Sequence, residues 1–174
     1  YNAIGCVYKK VSGVLRVAKQ IVTSEYIWDN IRLKGGAYGG GCGFLNGNYF
    51  YMYSYRDPNV NKSYEVFKNV GNYLSEIDMD QKHLNRFIIG AVNVEDAPLK
   101  NNRINSIVLR RHYNGVTQER LDLRREEMLS VSINDIREVG QELTTAMENI
   151  VMSTVSDQTS IEKSELFKNI IVVK

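Results

Sequence analysis

Six glycines fall within the nine residues Gly35-Gly-Ala-Tyr-Gly-Gly-Gly-Cys-Gly43, directly after a stretch of helical spacing. Ile27, Trp28 and Ile31 mark one apolar helix face. Gly35-Gly36 stops it, because glycine enters the left-handed conformation that ends a helix without a steric penalty. The helix is predicted to end near Lys34. Arg32 and Lys34 then occupy its last turn, where a cation complements the negative end of the helix dipole by about 0.3–1 kcal/mol. The chain continues as a strand, and Tyr38 is the one large side chain among these glycines. Glycine weakens a strand and is placed where a turn, a bulge or another backbone comes close. The segment is therefore expected to let something approach, with a single phenol projecting from it.

The rest of the pattern places this corner in a larger order. Residues 3–8 read as a first strand of mixed burial. Ser12 or Gly13 opens a helix with the stripe Val14, Leu15, Ala18, Ile21, Val22, Trp28 and Ile31, which Thr23-Ser24 can break into two pieces. Asn46-Gly47 favours a two-residue type I′ turn from the glycine-rich strand into Tyr49–Tyr55. There the period is two: Phe50, Met52 and Ser54 point one way, and Tyr49, Tyr51, Tyr53 and Tyr55 the other. The Phe50 and Met52 face is expected to pack under helices. The tyrosine face, apolar in body and polar at its tips, suits either contact with another chain or an ordinary partly buried sheet surface.

Asp57-Pro58 ends that strand, since proline cannot donate to the ladder. Helices are predicted from an Asn59 cap with Val60, Tyr64, Phe67, Val70 and Leu74, and from an Asp80 cap with Leu84, Phe87, Ile88, Ala91 and Val92, closed by Pro98. Further helices cover 101–115 with Ile104, Ile107 and Val108, and start at Thr117 with Leu121, Arg124 and Met128. Ser132 with Asp135 opens another, carrying Ile133, Ile136, Val139, Leu143 and Met147. A strand near 150–155, a short helix over 161–168 and a last strand over 170–173 finish the chain. This order predicts an α+β fold, a largely antiparallel sheet with several helices packed on one face, as one domain over 1–174.

Composition excludes several classes. With 174 residues, 43% hydrophobic and 24% charged, the chain is globular and can bury roughly 70% of its unfolded surface. No apolar run approaches the roughly 18 residues of a membrane span, and no signal peptide opens the sequence, so no membrane partner is expected. Starting at Tyr1 already in a strand pattern, the chain is expected to be part of something longer. Cys6 and Cys42 lack C-x-x-C pairing; they read as two buried thiols in a reducing, intracellular compartment, with a disulfide as the other reading.

Self-contained chemistry is hard to find. The glycines follow a helix and open a strand, the reverse of a phosphate loop. Lys34-Gly35, Ala37 and Tyr38 imitate the start of an RNA-recognition signature, but Gly36, Gly39 and Gly41 stand where its stacking residues belong. Arg110-Arg111-His112, Arg120 and Arg124-Arg125 are interleaved with Glu119, Asp122, Glu126 and Glu127, which reads as a solvated helix surface with no nucleic-acid partner. His83 and His112 have no second histidine or carboxylate at ligand spacing, so no metal site is expected.

Three segments carry a resemblance: Tyr26-Ile-Trp-Asp-Asn-Ile-Arg-Leu-Lys-Gly-Gly-Ala-Tyr-Gly39, Tyr53-Ser-Tyr-Arg-Asp-Pro-Asn59, and Phe87-Ile-Ile-Gly-Ala91 with Glu95-Asp-Ala-Pro-Leu99. They resemble the C-terminal domain of the presequence-peptidase branch of the pitrilysin/insulinase zinc metallopeptidases, specifically through about residue 99 and more loosely beyond it, with a patch at 128–139. The resemblance implies a clamshell of two halves. Zinc is held by an H-x-x-E-H motif in the N-terminal half, and the C-terminal half closes over an unstructured peptide and lends an arginine and a tyrosine to the site. Here those match Arg32 and Tyr38, with Gly35 and Gly36 beside the substrate. The implied partners are the peptide and the N-terminal catalytic half, and the implied compartment is a bacterial cytoplasm, a mitochondrial matrix or a plastid. This sequence lacks the zinc motif, so the chain is expected to be inactive alone. A non-catalytic scaffold domain of the same fold is the alternative.

Overall fold

The computed structural model describes residues 1–8, 12–45 and 48–172. Four strands, β1 (Asn2–Val7), β2 (Gly39–Leu45), β3 (Tyr49–Tyr55) and β4 (Ile150–Thr154), form one sheet in the order β2-β3-β1-β4. Every pairing is antiparallel. The predicted α+β class with helices on one face is what the chain adopts. Ile4, Cys6, Phe50, Met52 and Ser54 are buried on the inner face. The register sets Ile4 opposite Met52 and Cys6 opposite Phe50, so alternation in two distant segments builds one floor. The Asn46-Gly47 turn lies outside the described residues.

Above that floor lie α1 (Gly13–Ile21), a π-helix (Val22–Leu33), α2 (Asn61–Lys68), α3 (Val70–Ser75), α4 (Gln81–Glu95), α5 (Asn101–Tyr113), α6 (Gln118–Leu129), α7 (Ile133–Ala146) and α8 (Gln158–Ser164). Caps set several starts: the side chains of Ser12, Asp80, Thr117 and Asp157 accept from the third backbone N–H beyond them, and Ser132 with Asp135 completes a capping box. Close helix contact at α3 and α7 depends on absent side chains. A Cβ on Gly140 would sit 2.3 Å from the Ser75 backbone nitrogen, and one on Gly71 would sit 2.5 Å from that of Thr144.

Several expectations are corrected. Thr23-Ser24 does not break the helix; the hydrogen bonds change from the α to the π register there and the rod continues. Its buried residues, Val22, Tyr26, Ile27 and Ile31, recur at four and five, as i→i+5 bonding requires, and Trp28 falls outside that face and is 47% exposed. Asn59 does not cap α2, whose N-cap is Val60 without a side-chain bond. The chain of helix 101–113 forms, but none of its residues is buried. The last helix spans Gln158–Ser164 rather than 161–168, because Asp157 caps it. Residues 170–172 are not a strand, and Val173 lies outside the described residues.

Candidate functional site

Arg32 sits in the last turn of the π-helix, exposed, with its guanidinium carbon 4.1 Å from the centroid of the Trp28 ring. This cation–π contact orients the arginine on a rigid helix end while leaving its five donors free of carboxylates: among the described residues, Arg32 forms no ion pair. Lys34, by contrast, is held by Asp29 at 2.5 Å. The helix then closes tightly. Gly36 donates to the Arg32 carbonyl at 3.0 Å and Ala37 to that of Ile31 at 3.1 Å, with Gly36 at φ 75°, in the left-handed region glycine favours.

Tyr38 follows this turn and is 60% exposed. Its backbone N–H donates to the Arg56 carbonyl at 3.2 Å, its ring lies 5.6 Å from that of Tyr55, and the Arg56 guanidinium stands 5.3 Å from its centroid. Arg56 itself has φ 48°, unusual for a residue with a side chain, and costs about 1–2 kcal/mol. Asp57 holds the corner in place. It accepts from the hydroxyls of Ser54 and Ser63, from Asn2 Nδ2 at 3.1 Å, and from the backbone N–H of Asn59 at 2.9 Å. Asn59 Nδ2 in turn donates to the Gly35 carbonyl at 2.5 Å. The Gly35-to-Tyr38 turn and the 53–59 corner, far apart in sequence, are thus bolted together, and Arg32 and Tyr38 flank that junction. Sequence reasoning does not single out Trp28, Arg56, Asp57 or Asn59 as site residues. The signals available were the four-residue spacing of Trp28 and Arg32 and the Asx-turn chemistry of Asp57-Pro-Asn.

The glycines of β2 prove to have a neighbour already. Gly39, Gly41 and Gly43 pair with Tyr55, Tyr53 and Tyr51, and each tyrosine ring lies across its glycine: a Cβ there would meet the hydroxyl oxygen at 2.6, 3.0 and 2.6 Å. What approaches this strand is the next strand's aromatic row. The rings of Tyr51, Tyr53, Tyr55 and Tyr38 succeed one another at 6.2, 6.4 and 5.6 Å, a continuous aromatic ladder that ends on Tyr38. Such contacts favour one orientation by about 0.5–1.5 kcal/mol each. Gly40 faces inward, where a Cβ would sit 2.7 Å from the Tyr53 carbonyl oxygen and 3.0 Å from Ile27.

Among the described residues, the side chains that could ligate zinc are dispersed or already engaged. His83 pairs with Glu25 at 2.8 Å, and Tyr73 takes the other Glu25 oxygen at 3.2 Å. Burial raises the pKa of the Cys6 thiol and pushes that of Cys42 up to about 11, and both side chains sit in the core. Among the described residues, no three His, Cys, Asp or Glu side chains gather. Both cysteines are free, the first of the two sequence readings.

The sequence model of the PreP C-terminal domain matches residues 4–158. The chain belongs to that family. The chain is 30% identical to Protein HypA of Clostridium perfringens over 98% of this chain and 18% of that protein, and 32% identical to Presequence protease 1, chloroplastic/mitochondrial, of Arabidopsis thaliana over 91% and 15%. It spans less than a fifth of the length of these curated relatives. Among solved structures, a chain of Bordetella pertussis Tohama I described as a candidate zinc protease superposes with a TM-score of 0.62 at 10% identity, covering 90% of this chain and 94% of that one. An inactive peptidase domain from Bordetella parapertussis gives 0.62 at 12% identity, covering 87% and 90%. These establish the shared fold. No helix among the described residues is long and apolar enough to cross a membrane.

Proposed function

We propose that this chain is the C-terminal, non-zinc domain, a single unit over 1–174, of a peptidase that degrades unstructured peptides, and that Arg32 and Tyr38 reach its substrate. The observation that carries this reading is the exposed Tyr38 phenol, pinned by Tyr55 and Arg56 at the end of the aromatic ladder and beside a helix end whose arginine forms no ion pair among the described residues. A phenol is a neutral donor that can bond the peptide carbonyl oxygen as it gains charge during hydrolysis. The Arg32 fork can grip backbone carbonyls next to the scissile bond and set the register of the peptide, while the exposed Gly36 leaves that backbone room and Gly35 lets the Ile31 carbonyl of its own helix come close. The catalytic metal of such a peptidase polarises the scissile bond and belongs to residues outside this chain, in an N-terminal half that this domain closes against. The chloroplastic/mitochondrial presequence protease of Arabidopsis thaliana supports a mitochondrial or plastid compartment, with a bacterial cytoplasm as the alternative.

In the complete peptidase, Tyr38→Phe is expected to lower kcat about 10²–10³-fold with KM nearly unchanged, since the lost donor acts on the transition state. Arg32→Ala is expected to raise KM more than it lowers kcat. Steady-state kinetics on an unstructured peptide decide both. A second reading, a scaffold that docks through the sheet, draws on the outer face, where Val7, Tyr49 and Val151 are 64%, 50% and 76% exposed. Unchanged kinetics in Tyr38→Phe would favour it.

A further inference from the structure

A cavity of about 480 Å³ opens between the end of α4, α5 and α6, with α1 at its back. Its walls carry six cations, Arg16, Lys100, Arg103, Arg110, Arg111 and Arg124, against one carboxylate, Glu95. That carboxylate is already engaged by Arg124 at 3.0 Å. In sequence the arginines of α6 alternate with acids; in space Arg124 faces the cavity with Leu121, whereas Glu119, Asp122 and Glu126 do not line it. Folding therefore sorts an apparently mixed surface into a basic hollow with apolar walls at Ile107 and Leu121.

Arg16 is the telling member. Its Nε is shielded from solvent and has no hydrogen-bond partner among the described residues, a state that is costly for a charged group. Burial lowers its pKa, Glu95 pulls it back up, and Arg124 lowers it again. A partly buried cation whose Nε lacks a partner, and which faces like charge with one shared counter-ion, is suited to an anion. Guanidinium forks match tetrahedral oxyanions in a two-point grip, and a hollow of this size is in the range of small-molecule sites rather than single-ion sites.

We propose that this hollow is a binding site for a multivalent phosphate-type oxyanion, with Arg16 at its floor and Arg103 and Arg110 at its mouth. Arg103 and Arg110 lie seven residues apart on α5, on the Ile107 side of a helix that buries nothing, so replacing them leaves the core intact. The site is distinct from the Arg32 and Tyr38 surface and does not depend on its role.

The test is titration of the 174-residue chain with orthophosphate, pyrophosphate and tripolyphosphate, each against sodium chloride of equal ionic strength, followed by calorimetry and thermal unfolding. Affinity is expected to rise with phosphate number, and saturating tripolyphosphate to raise Tm by about 5 °C. Arg103→Gln with Arg110→Gln is expected to weaken tripolyphosphate at least about tenfold with an unchanged far-UV spectrum. Arg16→Met is expected to be at least as stable as the parent without anion, and to lose the Tm gain with it. A response matched by sodium chloride, equal binding in the double variant, or binding of a polyglutamate peptide without binding of tripolyphosphate would each overturn the assignment.

Discussion

Trp28 shows how far a single side chain can depart from its apparent role. Its apolar bulk fits a core stripe, yet it stands half exposed as the platform on which Arg32 rests. Tyr38 is legible as a candidate because it is the one large side chain at a glycine-cleared corner, whereas Arg32 becomes one only through the resemblance, its place in a last helix turn being ordinary for a cation. Arg56 is not, since only folding lays it over the Tyr38 ring. Cys42 offers a test at this scale. Its thiol is buried beside Thr23, and burial lifts its pKa from 9.0 to about 11. The neutral thiol is the form the fold favours, so its contribution is complete below pH 9 and is lost as pH rises toward about 11, roughly 2–3 kcal/mol in all. Urea unfolding of the parent should weaken by that much more than Cys42→Ala across this window. The difference matters because Tyr8 and Tyr73 also have raised pKa values and lose stability in the same direction.

Among the elements, β2 and the π-helix carry the positioning. The glycines of β2 serve two faces. Outward ones lie under tyrosine rings that can swing aside; inward Gly40 meets backbone and a packed isoleucine that cannot. Gly40→Ala is therefore expected to cost about 1–3 kcal/mol and Gly43→Ala less than about 1, read as shifts in the urea midpoint at constant slope. Equal costs would show that the rings are as immobile as the backbone. The helix end at Lys34 and the strand alternation in β3 were readable from sequence because each depends on neighbours within a few residues. The π register was not: helical spacing was assumed, and the wider repeat of Val22, Tyr26, Ile27 and Ile31 became meaningful only once the sheet beneath selected which residues to bury.

For the whole molecule, stability is unevenly distributed. The core runs from the sheet through α1, the π-helix, α2, α3, α4 and α7 with Met128 of α6, whereas α5 contributes no buried residue and exposes Val108 and Leu109. Amides of 101–113 are expected to exchange with solvent much faster than those of 133–146 in native-state hydrogen exchange, while far-UV and Trp28 signals follow one cooperative transition if 1–174 is a single domain. Comparable protection in both helices would mean that α5 is held by contacts beyond those described. Its exposed face carries Arg103, Arg110 and Arg111 without a carboxylate and so forms a basic wall, whereas the mixed charges lie on α6.

Residue order alone dictated the helix stop at Gly35-Gly36, the caps at Asp80, Thr117 and Ser132, and the two-sided strand β3, since these are set by backbone geometry and hydrogen bonds over a handful of positions. Only the tertiary arrangement decided that tyrosines fill the glycine row, that Asp57 and Asn59 lock the Tyr38 turn, and that six cations share a hollow with one carboxylate. Those outcomes depend on pairing between segments tens of residues apart, and a linear pattern carries no distance between such segments.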